Sequence, residues 1–154
     1  MKGYIEEILI KFGHSNPKKP QSTPYKYQKI NYGAKQQLTP ADYTSPELNE
    51  KGIRRVQDIV GALLYYDHAV EKKLLFGIRA IGYQQAAATE STAEDIDHLL
   101  DCCSVYPNDG NVFCASDMEL AAHYDLGFNN EYKARSQAGA HIFLSKNDQV
   151  PRWN

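Results

Sequence analysis

One carboxylate near the C-terminal end of the sequence stands where it could do chemistry. Residues 120–128 read LAAHYDLGF, an apolar run that looks like a buried strand, and Asp125 is its only acid. An acid in this position is either a turn residue or a ligand or catalyst that a rigid strand holds in place. The residues alone leave both interpretations open, and the rest of the sequence bears on the choice.

Basic residues form a second candidate site. Residues 1–35 carry seven lysines and two glutamates, whereas the rest of the chain is acidic and the net charge is −2. Lysines interleaved with tyrosines can bind a nucleic-acid strand through charge and stacking, although we favour a loop whose tyrosines pin it to the body of the protein. Two further cations in the KARSQAG segment could touch a phosphate or be solvated. The candidate phosphate contacts are Lys18, Lys19, Lys26, Lys29, Lys133 and Arg135.

Composition argues against several other classes of site. The three cysteines form no spaced pair, which argues against a disulfide framework and a zinc site and favours a reducing compartment. The five histidines are scattered without metal-ligand spacing. No run approaches the ~20 apolar residues that a membrane helix needs, and no signal peptide is evident. We therefore expect an intracellular, cytoplasmic protein without a membrane partner.

The elements that must position these residues are mostly helical. A helix is predicted over residues 2–12, with Gly13 as its stop, and a basic extended connection over 14–44. A second helix is predicted from Ser45 as N-cap, with the option of a later start because of Gly52. A third follows from residue 71, and a fourth starts at Ser91 with Glu94 completing a capping box.

The spacing of apolar residues changes after Pro107, where short apolar runs replace the helical periodicity of the preceding segments. NVFCA and MELAAHYDLGF are predicted to form a β-hairpin, and AGAHIFLS is predicted to form another strand. The predicted organisation is an N-terminal helix (1–13), the connection (14–44), a helical part (45–109) and a β part (110–154). The expected fold class is α+β: a small helical bundle followed by the first antiparallel strands of an incomplete sheet.

The ordered set of segments resembles a known family. MKGYIEEILIKF is similar to the segment that follows the polymerase palm in long-terminal-repeat retrotransposon polyproteins. Residues 53–107, which begin IRRVQDIVGALLYY, look like the thumb and connection helices that come next. HYDLGFNNEYKARSQAGAHIFLS is similar to the opening of the family's ribonuclease H domain. The resemblance covers almost the whole chain, in the family's order.

This resemblance gives Asp125 an expected role. It falls on the aspartate of the first ribonuclease H strand, which ligates Mg²⁺ in the family. Two hard cations about 4 Å apart need several carboxylates on a stiff frame to organise phosphodiester hydrolysis. The resemblance implies that the polymerase's paired aspartates would precede Met1, and that the other ribonuclease H carboxylates would follow Asn154.

The expected function is that of a truncated, inactive fragment of a reverse transcriptase and ribonuclease H. Its expected partners are an RNA–DNA hybrid or DNA duplex, bound weakly and without sequence preference, and the missing polymerase or ribonuclease H segments. Bound Mg²⁺ is not expected. Two alternatives remain: a metal-dependent ribonuclease H completed by another chain, and a helical interaction module with no nucleic-acid role.

Overall fold

A computed structural model describes residues 1–14, 19–26, 45–112, 115–131 and 135–146, without the side chains of 128–131, 135 and 137. These residues fall into two compact units, one within Met1–Asn111 and one from Val112 onward. The first contains the helices α1 (Tyr4–Lys11), α2 (Glu50–Ala69), α3 (Leu75–Gly82) and α4 (Glu90–Val105). The second contains the strands β1 (Glu119–Glu131) and β2 (Arg135–Ser145).

Helix α1 ends as its sequence predicts. Gly13 has a φ of +69°, a left-handed conformation that glycine adopts without steric cost. Its N–H donates to the Ile10 carbonyl at 3.1 Å, and the N–H of His14 donates to the Leu9 carbonyl at 2.7 Å. These two bonds form a Schellman motif, which satisfies carbonyls that the helix leaves open.

Helix α2 starts later than Ser45, so that predicted N-cap is wrong. The N-cap is Asn49, whose side chain accepts a hydrogen bond from the Gly52 N–H at 2.9 Å. Ser45 instead accepts from the N–H of Ser91 at 3.0 Å, in the first turn of α4. The Ser45 hydroxyl is thus used in a hydrogen bond to a residue far away in the sequence, and it does not cap α2. The first residue of α2 is therefore later than the local capping rule predicts.

The predicted capping box of α4 is also displaced. The N-cap is Thr89, and Thr89 and Thr92 make the reciprocal bonds expected of Ser91 and Glu94. A backbone bond from the Leu48 N–H to the Ala88 carbonyl, at 2.9 Å, fixes the chain just before the helix. The third predicted helix is broken into a 3₁₀ turn (Lys72–Leu74), α3 and a second 3₁₀ turn (Gln85–Ala87).

The first unit is built around one apolar core. Helix α1 contacts α2 and α4, and α3 also contacts both of these helices. The predicted apolar stripes of the helices face this core, as helical periodicity requires. Its most completely buried side chains are Ile5, Val56, Ile59, Leu63, Ile78, Ile81, Ile96, Leu99 and Leu100.

The second unit is an antiparallel hairpin in which β1 pairs with β2, with Glu119 opposite Ser145 and Asp125 opposite Gly139. Of the predicted partner NVFCA, residues 111, 112 and 115 are not in a strand, and residues 113 and 114 lie outside the described residues. Strand β1 is longer than its apolar run, because the pairing continues through polar residues to Glu131, with an irregularity after Gly127. AGAHIFLS is strand, as predicted. The end of the chain, from residue 147, lies outside the described residues.

The architecture agrees with the predicted class at the level of α+β, with helices first and antiparallel strands second. Among the described parts of the chain, no helix combines the length and apolarity needed to cross a membrane.

Candidate functional site

Asp125 lies within β1 and not in a turn. Its side chain is exposed, and its Oδ1 accepts a hydrogen bond from the N–H of the next residue, Leu126, at 2.9 Å. Gly139 is its cross-strand partner, so no opposing side chain covers the carboxylate. The strand therefore presents this acid to solvent on a hydrogen-bonded frame.

A lone carboxylate does not fit a two-metal hydrolytic centre. Such a centre needs several carboxylates that converge on ions about 4 Å apart. Within the described ranges, no three His, Cys, Asp or Glu side chains converge in a way that could hold a metal ion. The donors that the structure describes around Asp125 do not match Mg²⁺ in the arrangement that hydrolysis requires.

The predicted basic contacts are only partly within the described residues. Lys18, Lys29 and Lys133 lie outside them, and Arg135 is described as backbone in β2 but not as a side chain. Lys19 is exposed. Lys26 is engaged within the protein, because its Nζ lies 3.0 Å from Asp95 Oδ1 and 3.5 Å from Glu94 Oε2. Burial lowers the pKa of Lys26, but these two carboxylates outweigh burial and leave the pKa above its usual value.

Lys26 belongs to a short segment, residues 22–26, that lies against α3 and α4. The His98 imidazole donates to the Thr23 carbonyl at 3.0 Å, and the ring of Tyr25 meets the ring of Phe76 edge-on at 5.8 Å. This contact matches the expectation that tyrosines pin the connection to the body, at least for Tyr25. It also places this lysine against the acidic face of α4.

A cleft of about 260 Å³ opens in the helical unit between α1, α2 and α4. Its polar rim is an ion-paired group: Lys73 Nζ lies 2.8 Å from Asp109 Oδ2 and 3.9 Å from Glu71 Oε2. The Tyr66 hydroxyl donates to the Asp109 carbonyl at 2.7 Å, and the Tyr66 ring stacks on Tyr4 at 5.6 Å. The lining residues are Ile5, Ser22, Pro24, Tyr66, Glu71, Lys73, Leu74, Cys102, Cys103, Tyr106 and Asp109.

Two carboxylates near this cleft are buried. Glu71 Oε1 accepts from the Lys73 N–H at 2.9 Å and caps the 3₁₀ turn, whereas its Oε2 has no hydrogen-bond partner in the described part of the protein. Neither oxygen of Asp67 has one there either. Burial raises the pKa of Asp67; a charge on His68 and the nearby N–H groups of Leu74 and Leu75, which do not reach hydrogen-bond geometry with its oxygens, oppose that rise without cancelling it.

The thiols that line the cleft are suited to packing rather than to reaction. Burial raises the pKa of Cys103 to about 12, with Cys102 as a smaller cause. Burial also raises the pKa of Cys102. Because the thiolate is the nucleophilic form, neither cysteine is poised for catalysis at neutral pH.

Sequence reasoning missed the buried carboxylates and the rim of this cleft. DHAVEKK reads as the polar end of a helix, and nothing in its spacing indicates that Asp67 and Glu71 would be 1% and 4% exposed. One weak signal exists, since Glu71 precedes the apolar run from Leu74 in the position of a helix cap. The ion pair between Lys73 and Asp109 joins residues too far apart in sequence for any local rule.

Comparison of the chain with protein-family models, with curated proteins and with solved structures gives no match.

Proposed function

We propose that this chain is a segment of a long-terminal-repeat retrotransposon polyprotein, running from thumb and connection helices into the first strands of a ribonuclease H sheet. The observation that carries the proposal is the position of Asp125: an exposed carboxylate on the first strand of an antiparallel hairpin. The order of elements, helices before hairpin, is consistent with the order of segments in that family.

In this proposal the helical unit is a spacer with a packed core, and the hairpin offers one carboxylate of a larger set. The chain contacts a template–primer duplex but does not hydrolyse it, because one acid cannot organise a two-metal reaction. The contact is with phosphates and not with base edges, so it is independent of sequence. Lys19 and the neighbouring lysines of the connection carry it.

Binding of this kind is weak. A net charge of −2 repels a polyanion, and the face of α4 that holds Lys26 is acidic. We expect dissociation constants near the ~10⁻⁴–10⁻⁶ M of non-specific binding. These constants should rise steeply with salt concentration, because the release of counterions from the duplex favours binding less at high salt.

Fluorescence anisotropy tests this expectation with two labelled RNA–DNA hybrids of unrelated sequence, each titrated at two salt concentrations. Substitution of Lys18, Lys19 and Lys29 by Gln should weaken binding and reduce its salt dependence. Lys26→Gln is the matched control: its ammonium already lies against Asp95, so its loss should change binding much less. Absence of binding at low salt, or binding that the triple substitution leaves unchanged, would contradict the proposed duplex contact.

A second candidate is an interaction module without a nucleic-acid role, and the observation that favours it lies in the hairpin and not in the helices expected to form such a module. The hairpin carries large apolar side chains in water, including Leu120 at 75% exposed and Tyr124 at 81% exposed. Apolar surface grouped on one face is typical of protein–protein contact. The same titration distinguishes the candidates, since an interaction module binds neither hybrid.

A further inference from the structure

The β-hairpin exposes a continuous apolar face. Alternate residues of a strand point to the same side of a sheet. The register therefore puts four residue pairs on one side: Leu120 with Leu144, Ala122 with Ile142, Tyr124 with Ala140, and Leu126 with Ala138. None of these eight positions carries a charge. The five large side chains are between 49% and 81% exposed: Leu120, Tyr124, Leu126, Ile142 and Leu144.

The other side of the hairpin is built differently. Ala121 and Ser145 are buried there, at 7% and 5% exposed, and the Phe143 ring stacks with His123 at 5.3 Å and with His141 at 5.1 Å. Asp125 lies on that side too, two residues beyond His123. The apolar face is thus the uncovered side of a two-stranded sheet, and such a sheet is marginally stable in water unless it packs against something.

We propose that this face, defined by the eight paired positions above, is a homodimer interface on which two copies of the chain stack hairpin against hairpin. Two sheets that pack face to face lie about 10 Å apart, with their strands within about 30° of one another. Three of the four pairs place an alanine opposite a large side chain, Ala122 opposite Ile142, Ala140 opposite Tyr124 and Ala138 opposite Leu126, and the spaces beside these alanines can receive side chains of the partner copy.

The size of the face suits a second copy. Five large side chains at these exposures, with three alanines between them, present on the order of 700 Å² to solvent, close to the ~800 Å² per partner of a standard interface. A twofold contact needs a surface that complements itself. An uncharged face meets its own copy without repulsion, and it offers a charged partner no complementary group.

Sedimentation equilibrium over about a hundredfold range of protein concentration tests the proposal. The mass of the full chain should rise with concentration from 17.4 kDa toward twice that value. The double variant Leu126→Lys, Ile142→Lys should raise the dissociation constant of the dimer at least about a hundredfold, because it places unpaired charges in the contact. A wild-type chain that stays monomeric throughout would overturn the proposal.

The matched control puts the same substitutions on exposed apolar residues outside the hairpin. Ile10 and Val112 are 69% and 86% exposed, and Ile10→Lys with Val112→Lys should leave the dimer intact. Equal loss of dimer in both double variants would count against a specific face. Cross-strand nuclear Overhauser contacts between β1 and β2 report whether each variant keeps its hairpin.

A milder variant covers the case in which lysines unfold the hairpin. Leu126→Thr with Ile142→Thr keeps residues that strands accept and removes apolar area, so it should weaken the dimer about tenfold or more. Hydrogen exchange separates stacking from pairing at the strand edges, because only edge pairing protects the amides that point outward from β1 and β2. If those outward amides were protected in the dimer, the two copies would be paired edge to edge and not stacked face to face, and the proposal would be overturned.

Discussion

The Cα of Gly77 packs directly against the backbone carbonyl of Pro24. A Cβ at position 77 would stand 2.6 Å from the Pro24 oxygen and 3.5 Å from the Leu99 side chain. No real Cβ tolerates the first distance, so the close approach of the segment 22–26 to α3 depends on the absence of a side chain. This part of the predicted connection is thereby joined to the helical core.

Gly77→Ala should therefore destabilise the helical unit. The added methyl group forces either the 22–26 segment or α3 to move, at a cost on the order of 1–3 kcal/mol, which exceeds the helix propensity that alanine contributes. Gly61→Ala in α2 is the control, because a Cβ there meets nothing within 4 Å. It should stabilise the protein by about 0.5–1 kcal/mol. Urea unfolding of both variants measures the difference, and changes of the same sign would show that Gly77 is not tightly covered.

Leu63 should be among the most sensitive core positions. It is fully buried in α2, at 0% exposed, and Leu63→Ala leaves a cavity whose cost is on the order of 2–5 kcal/mol. Ile10→Ala in α1 is the matched control, since Ile10 is 69% exposed and its truncation should change stability by less than about 0.5 kcal/mol. Similar midpoints for the two variants in denaturant would mean that the core is loosely packed.

Asp67 should make stability depend on pH. Burial raises its pKa above the ordinary value of 3.8, so the folded protein holds this proton more tightly than the unfolded chain does. Its contribution is therefore most favourable below pH 3.8 and declines as the pH rises from there through the raised pKa. Asp67→Asn stays neutral and should be more stable than wild type at neutral pH, with an advantage that shrinks as the solution is acidified.

Urea unfolding at a series of pH values measures this advantage directly. Asp58→Asn is the control on the same helix, because the exposed Asp58 is solvated in both states. The effect of Asp67→Asn at each pH is read relative to this variant, which removes a carboxylate from the exposed face of α2. An advantage of Asp67→Asn that grew toward low pH would reverse the sign argued for this carboxylate.

The sequence predicted the helices and their buried stripes because apolar periodicity reports directly on the core. Ile96, Leu99, Leu100 and Cys103 lie in one buried stripe of α4, as expected. The end of α1 at Gly13 was also predictable from the sequence, because the left-handed conformation that often follows a helix favours glycine. AGAHIFLS was predicted as a strand from its own residues.

The features that sequence reasoning missed depend on contacts between distant residues. Ser45 has the character of an N-cap, yet it bonds to Ser91, and the capping of α2 passes to Asn49. Lys26 looks like a free cation until the fold brings Asp95 to within 3.0 Å of its ammonium. The pairing of β1 with β2 was not predicted, because two apolar runs flank β1 and local turn signals do not decide between them.

The most direct test of the proposed function is an assay for cleavage of the RNA strand in an RNA–DNA hybrid, with Mg²⁺ or Mn²⁺ supplied. We predict hybrid binding without turnover, because Asp125 has no converging carboxylates in the described part of the chain. Asp125→Asn should leave the weak binding nearly unchanged. Metal-dependent cleavage above background that disappears in Asp125→Asn would contradict the account and would show that this chain, alone or self-associated, completes a ribonuclease H centre.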